Sequence, residues 1–252
     1  MVGEARADSR YNASMRRSAL VLLLCLTVLP SVPAPAQSLE DGLAAYRNRD
    51  WPAAAKALRP LAEAGVAVAE ERMGRLYQRG RGVPKDYAQA LAWYRKAVDQ
   101  GEPFAEGHLG GMYMMGQGVP QSDQEAARLF RLASQQGNPV AQTGLGYMSL
   151  EGRGTKADAV EAANWFREAA EQGNAAAMLG LAGLYEKGDG VARNYIIAHK
   201  WYQLASLDDG ENEADVFERA ARSTLELEKK MSASDIEAAQ RIARAWKRPA
   251  ER

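Results

Sequence analysis

Apolar and polar positions along this chain follow a helical spacing, and the pattern itself returns every 36 residues. Met73-Gly74-x-x-Tyr77-x-x-Gly80-x-Gly82-Val83 recurs as Leu109-Gly110-x-x-Tyr113-x-x-Gly116-x-Gly118-Val119. It recurs again as Leu145-Gly146-x-x-Ser149-x-x-Gly152-x-Gly154 and as Leu181-Ala182-x-x-Tyr185-x-x-Gly188-x-Gly190-Val191. A second set keeps the same step. Ala90, Ala126, Ala162 and Ala198 precede the pairs Trp93-Tyr94, Leu129-Phe130, Trp165-Phe166 and Trp201-Tyr202, and Ala97, Ala133, Ala169 and Ala205 follow them. Residues three and four apart share a helix face, so each unit predicts two helices with a small–large–small stripe on the second. First helices are expected over 66–79, 102–115, 138–151 and 174–187, and second helices over 86–100, 122–136, 158–172 and 194–207.

The punctuation agrees with this map. Gly80 and its equivalents end each first helix, where the left-handed cap conformation favours glycine. Asp86, Asp123, Asp158 and Asn194 stand where a side-chain oxygen caps the second helices. Residues 39–49 and 52–64 read as a degenerate opening pair, and 213–230 and 233–247 as closing helices. Ser232 with Asp235 forms a capping box, and Ile236, Ala239, Ala243 and Trp246 line one face. The fold class is therefore all-α, a right-handed α-solenoid (superhelix) of tetratricopeptide-like helix–turn–helix repeats. Its expected divisions are a signal peptide over 1–36, a capping pair over 37–65, four repeats over 66–210, and capping helices with a tail over 211–252.

The opening segment has a different logic. Arg16 and Arg17 precede an apolar run from Ala19 to Leu29, followed by Ala34-Pro35-Ala36. A basic region, a short apolar run and a small-residue end are the three parts of a secretory signal, with cleavage expected after Ala36 and translation starting at Met15. The run is shorter than the roughly 20 residues a membrane-spanning helix needs. Cys25, the only cysteine, lies inside it and follows Leu24, which does not fit a lipidation site. The chain beyond residue 36 then has no disulfide and is held by packing alone. The segment implies export, to the periplasm or beyond it, and no stable membrane insertion after cleavage.

Charge narrows the function classes. The chain carries 32 basic and 32 acidic residues, without the basic excess through which nucleic-acid binders neutralise phosphates. No nucleic-acid partner is expected. Gly80-Arg81-Gly82 is a structural turn, since it recurs with the repeat and lacks the phosphate-loop lysine pattern. His108 and His199 do not recur with the repeat and offer no metal-ligand spacing. Glu70-Glu71 is expected on polar surface and Asp208-Asp209 in a loop, and no nucleophile–base constellation appears. No cofactor, metal or catalytic residue is assigned.

At these residues the sequence resembles the SEL-one-like repeat family, relatives of the tetratricopeptide repeat, over 67–209 in four units. Ser149 in place of tyrosine and Gly154-Thr155-Lys156 in place of Gly-Val-Pro depart from the pattern and predict looser packing there. The resemblance implies an adaptor, and its exported bacterial members imply envelope regulation, polymer export or host interaction, with the periplasm favoured over secretion. By analogy with tetratricopeptide units, first helices line a concave groove. Phe104, Met114, Met115, Tyr147 and Leu150 then form an apolar centre between charged ends at Arg75, Arg79 and Glu186. The expected partner is a protein or peptide segment held in that groove. The alternative is an enzyme acting on envelope polymers or a small molecule.

Overall fold

The computed structural model describes residues 35–154, 156–207 and 214–247. Residues 1–34, with Met15, Cys25 and the apolar run, lie outside these residues, as do Asp208-Asp209. Twelve α-helices and no strands occur among the described residues. An opening pair, α1 (Pro35–Arg47) and α2 (Trp51–Glu63), precedes the repeats. The first repeat holds α3 (Ala67–Arg79) and α4 (Tyr87–Asp99), and the second α5 (Pro103–Met115) and α6 (Asp123–Gln135). The third holds α7 (Pro139–Glu151) and α8 (Ala159–Glu171), and the fourth α9 (Ala175–Lys187) and α10 (Tyr195–Leu207). α11 (Ala214–Glu228) and α12 (Ala233–Ala245) follow. The repeat helices agree with the sequence-based expectation to within one residue at each end, while α1 starts at Pro35 rather than residue 39.

Local chemistry fixes the ends. Gly80, Gly116, Gly152 and Gly188 each take a left-handed cap conformation, with φ between 66° and 76°. Asp86 and Asp158 each accept two backbone N–H groups of the helix they start, and Asn194 accepts one from Ile197. Asp123 departs from expectation. Ser122 is the cap and accepts from Glu125 N–H, which leaves Asp123 in the first turn to pair with Arg153. First helices are capped in turn by Glu102, Asn138 and Asn174.

Packing follows from the aromatic of each second helix. Phe130 fits against Gly110 of its own repeat and Gly144 of the next, where an added Cβ would sit 2.8 and 2.5 Å from the ring. Phe166 lies in the same way between Gly146 and Gly180, at 2.6 and 3.0 Å. Tyr94 lies against Gly74 and stacks on His108, with ring centroids 5.5 Å apart. Each ring therefore touches two consecutive first helices, and those helices also meet each other directly. Tyr94, Phe130 and Phe166 are at most 1% exposed, and Trp93, Trp201 and Tyr202 are buried with them.

Polar ties with the period of the repeat reinforce the stack. Gln100 donates to Glu70 at 2.7 Å, Gln136 to Glu106 at 3.2 Å, and Gln172 to Gln142 at 2.7 Å. Each joins the end of a second helix to the first helix of its unit. Glu70 and Glu71 are both buried, contrary to the surface position expected for them. Beside Ser149, itself buried, a cavity of about 50 Å³ lies among Leu145, Met148 and Trp165. Arg153 braces that side by donating to Met114 C=O at 2.7 Å and Asp123 at 2.6 Å. At the far end Trp246 packs edge-on against Trp201, and His199 Nε2 lies 2.8 Å from Glu228, which ties α11 to α10.

Removing a ring should leave two first helices without their spacer. Phe166→Ala is expected to cost about 3–5 kcal/mol in denaturant unfolding, and a loss under about 1 kcal/mol would contradict the packing scheme. Two glycines on the same helix type should respond with opposite sign. Gly146→Ala meets the Phe166 ring and should destabilise. Gly111→Ala meets nothing within 4 Å and should gain about 0.5–1 kcal/mol from helix propensity.

Candidate functional site

The expected groove residues divide into two groups. Met114 packs against the cluster that contains Phe130, and Leu150 against the one that contains Phe166. Tyr147 stands edge-on to Phe166 at 4.9 Å and donates to Ala176 C=O at 3.3 Å. Glu186 accepts from Tyr202 Oη and from Lys230, each at 2.9 Å. Arg75 is 5% exposed and lies against Glu71 and the Tyr46 ring. These five side chains serve the fold. Phe104 and Met115, at 39% and 55% exposure, stay open, and Arg79 stays half-buried at the surface.

A correlation inside the sequence explains the first group. Tyr94 donates to Gln78 at 2.8 Å, and three units later Tyr202 donates to Glu186. In the middle units the rings are Phe130 and Phe166, and the equivalent partners are Met114 and Leu150. A hydroxyl needs an acceptor and a bare ring needs an apolar neighbour, so Met114 and Leu150 match the rings of their units.

The second group lies on one stripe of α5. Phe104, Gly111 and Met115 are seven and four residues apart, so they share a face, with Phe104 and Met115 about 16 Å apart along the axis. The space over Gly111 is empty to 4 Å, which leaves bare backbone between two exposed apolar side chains. At the Met115 end the stripe runs into an open cleft of about 380 Å³ lined by Gln78, Arg79, Arg81, Lys85, Tyr87, Met115 and Gln117. Gln78 donates to Gln117 at 2.9 Å across it. The Arg81 guanidinium lies 4.8 Å from the Trp51 ring centroid, and the Lys85 ammonium lies 4.8 Å from that of Tyr87.

Between the first helices of the first two repeats sits a buried ionic cluster. Glu71, fully buried, pairs with Arg72, and its carboxylate lies 3.9 Å from Arg75 and 3.3 Å from His108 Nε2. Burial alone pushes the Glu71 carboxyl up, but Arg72, His108 and Arg75 outweigh it and hold the group well below the usual range. Burial drives the His108 imidazole down to about 4, against the pull of Glu71. Glu102, the cap of α5, is pushed up to about 7 by burial and then by the Glu71 charge.

The repeat signature matches the Sel1 repeat model four times, at residues 67–102, 103–138, 139–174 and 175–209, which is more than half of the chain. The chain belongs to the Sel1 repeat family. Among solved structures, this Sel1 repeat chain is similar to a protective antigen of uropathogenic Escherichia coli strains with an SLR fold. The two are 33% identical with a TM-score of 0.63 over 77% of this chain, which spans 40% of the length of that protein. It is also similar to a Sel1 repeat protein from Oxalobacter formigenes, at 25% identity and a TM-score of 0.58, over 82% of this chain and 99% of that one. A sel1 repeat protein from Klebsiella pneumoniae subsp. pneumoniae shares the fold at 18% identity and a TM-score of 0.53, over 76% of this chain and 96% of that one. No match was found among curated proteins.

Within this Sel1 repeat array, no three His, Cys, Asp or Glu side chains among the described residues stand close enough to hold a metal ion. No helix among them is long and apolar enough to cross a membrane. Sequence reasoning missed Arg81, Lys85, Tyr87 and Gln117 as cleft residues. A signal for the cleft was present in the loss of periodicity. Arg79, Arg81 and Lys85 correspond to Met115, Gln117 and Gln121 in the second unit and to Glu151, Arg153 and Ala157 in the third.

The buried cluster predicts opposing pH dependences. His108 titrates near 4 when folded but near 6.5 when unfolded, so protons favour the unfolded chain and stability drops as pH falls from about 6.5 to 4. Glu102 titrates near 7 when folded and near 4.5 when unfolded, so its effect is a loss of stability as pH rises across that window. Denaturant unfolding between pH 4.5 and 7 should therefore tilt in opposite directions in two variants. His108→Gln should steepen the fall in stability with rising pH, and Glu102→Gln should turn it toward a rise. Parallel profiles for the two would contradict the assignment.

Proposed function

We propose that this Sel1 repeat protein is an exported scaffold that holds a protein or peptide segment along its first-helix face, in the periplasm or beyond it. The observation that carries the reading is the α5 stripe, where Phe104 and Met115 stay exposed on either side of an open Gly111. Apolar side chains flanking bare backbone let another chain approach closely and bury area without displacing anything. The repeats themselves do not demand this stripe, because the equivalent positions in the third unit, Val140, Tyr147 and Glu151, include a ring spent on internal packing. Export is supported by the basic, apolar and small-residue parts of the opening segment. The likeness to a protein described as a protective antigen supports a place outside the cytoplasm. The scaffold role agrees with the absence of a nucleophile–base constellation from the sequence motifs.

One substitution separates binding from folding. Gly111→Leu fills the empty space over α5 and replaces a helix-interior glycine, so it should raise stability by about 0.5–1 kcal/mol. The same side chain blocks the stripe. With both proteins immobilised and exposed to an envelope extract, a binding protein should be retained by the parent chain and lost from the variant. Equal retention by both, or none by either, would overturn the first-helix face as the binding surface.

A further inference from the structure

The cleft at the Met115 end of the stripe has a chemistry that the repeat does not require. Among the described residues seven side chains line it; three are the cations Arg79, Arg81 and Lys85, and none of the seven is a carboxylate. Basic residues near a helix C-terminus offset its dipole, and that ordinary role would place them in every unit. The second unit instead carries Met115, Gln117 and Gln121, and the third carries Glu151, Arg153 and Ala157. The fourth mixes signs with Lys187, Asp189 and Arg193. The first unit alone concentrates positive charge at these three positions, in a chain whose formal net charge is zero.

Two of the three cations are also held in place. Arg81 lies over Trp51 and Lys85 over Tyr87, so aromatic faces limit how far the charged groups wander. Gln78 and Gln117 bond to each other across the cleft and add amide donors that favour an anionic guest. Met115 stands on the rim, 55% exposed, and is shared with the apolar stripe. Charge complementarity thus gives the groove a direction, apolar toward Phe104 and cationic beyond Met115.

We propose that the partner is an acidic peptide segment of a protein, whose apolar residues lie along Gly111 and whose following carboxylates, at least two, enter the Arg79–Arg81–Lys85 cleft. The proposal rests on the first-helix face being the binding surface. Guanidinium and ammonium groups pair with carboxylates in short charge-assisted hydrogen bonds, and rim charges of this kind speed encounter and select among partners. The flat apolar stripe alone would accept many sequences, and the cleft makes it selective.

The test uses a fluorescein-labelled, C-terminally amidated dodecapeptide with leucine and serine in its first half and four glutamates in its second. Its counterpart replaces the glutamates with glutamines. Fluorescence anisotropy with the purified chain should show the glutamate peptide binding at least tenfold more tightly than the glutamine one, with the difference shrinking in 0.5 M salt. Lys85→Glu, at an exposed position, should weaken the glutamate peptide by severalfold, and Arg81→Glu/Lys85→Glu by tenfold or more. Thermal unfolding would confirm that each variant is folded, and the two-peptide comparison stands even where the double variant is not. Equal affinity for the two peptides, no measurable binding of the glutamate peptide, or charge reversal without effect would overturn the proposal. If Gly111→Leu still excludes a captured protein while charge reversal does not, the scaffold reading survives and the acidic-segment inference falls.

Discussion

The structure depends on one contact, an aromatic ring pressed against the backbone of two successive first helices. Phe130 reaches within 2.8 Å of where a Cβ on Gly110 or Gly144 would lie, and Phe166 does the same with Gly146 and Gly180 to within 3.0 Å. Only glycine, or a residue as thin, allows a ring and a helix to come this close. The glycines therefore set how near the helices sit, and the ring sets how near they can come. Because each ring touches its own repeat and the next, the same contact both closes a unit and joins it to its neighbour. This is the nearest-neighbour coupling on which the stability of a repeat array rests.

An open surface remains where this scheme leaves something unspent. In the third unit Tyr147 lies on Phe166, so the first-helix face is occupied by the fold itself. In the second unit the corresponding residue is Gly111, and nothing covers it. In the first unit the corresponding residue is Arg75, drawn into a buried cluster with Glu71 and His108. One step away, the cations of the turn line an open cleft. Burying an ionic cluster is seldom a gain in stability over apolar packing, and it fixes one arrangement of the groups around it. Here it reaches α5 through His108, which lies between Phe104 and Gly111 on that helix.

Much of the fold was legible because its determinants recur. Glycine caps, the alanine–aromatic–alanine stripe and the 36-residue step each appear several times, so every helix of the repeats is predicted repeatedly. The groove was legible only in part. Phe104 and Met115 are exposed, Arg79, Met114, Tyr147, Leu150 and Glu186 are half-buried, and Arg75 is buried. Position on a helix face says which way a side chain starts and not what it meets. Leu150 and Glu186 occupy equivalent positions, and the ring opposite each decides the residue needed there. Glu71 was misplaced for a similar reason. Its burial depends on Arg72 and Arg75 on its own helix and on His108, which comes from the next repeat and has no periodic counterpart.

The chain's methionines offer a direct test of the claim that its exposed site is the α5 stripe and the cleft beyond it. Met73, Met112, Met148 and Met178 are at most 2% exposed and report on the packed array, while Met115 is 55% exposed at the junction of stripe and cleft. Methyl NMR of 13C-methionine-labelled protein during titration with the glutamate dodecapeptide would read all of them at once. The account predicts a saturable shift of the Met115 methyl, with Met73, Met148, Met178 and the distant Met231 unmoved. Shifts centred on Met231, or an unmoved Met115 while another methyl saturates, would contradict it.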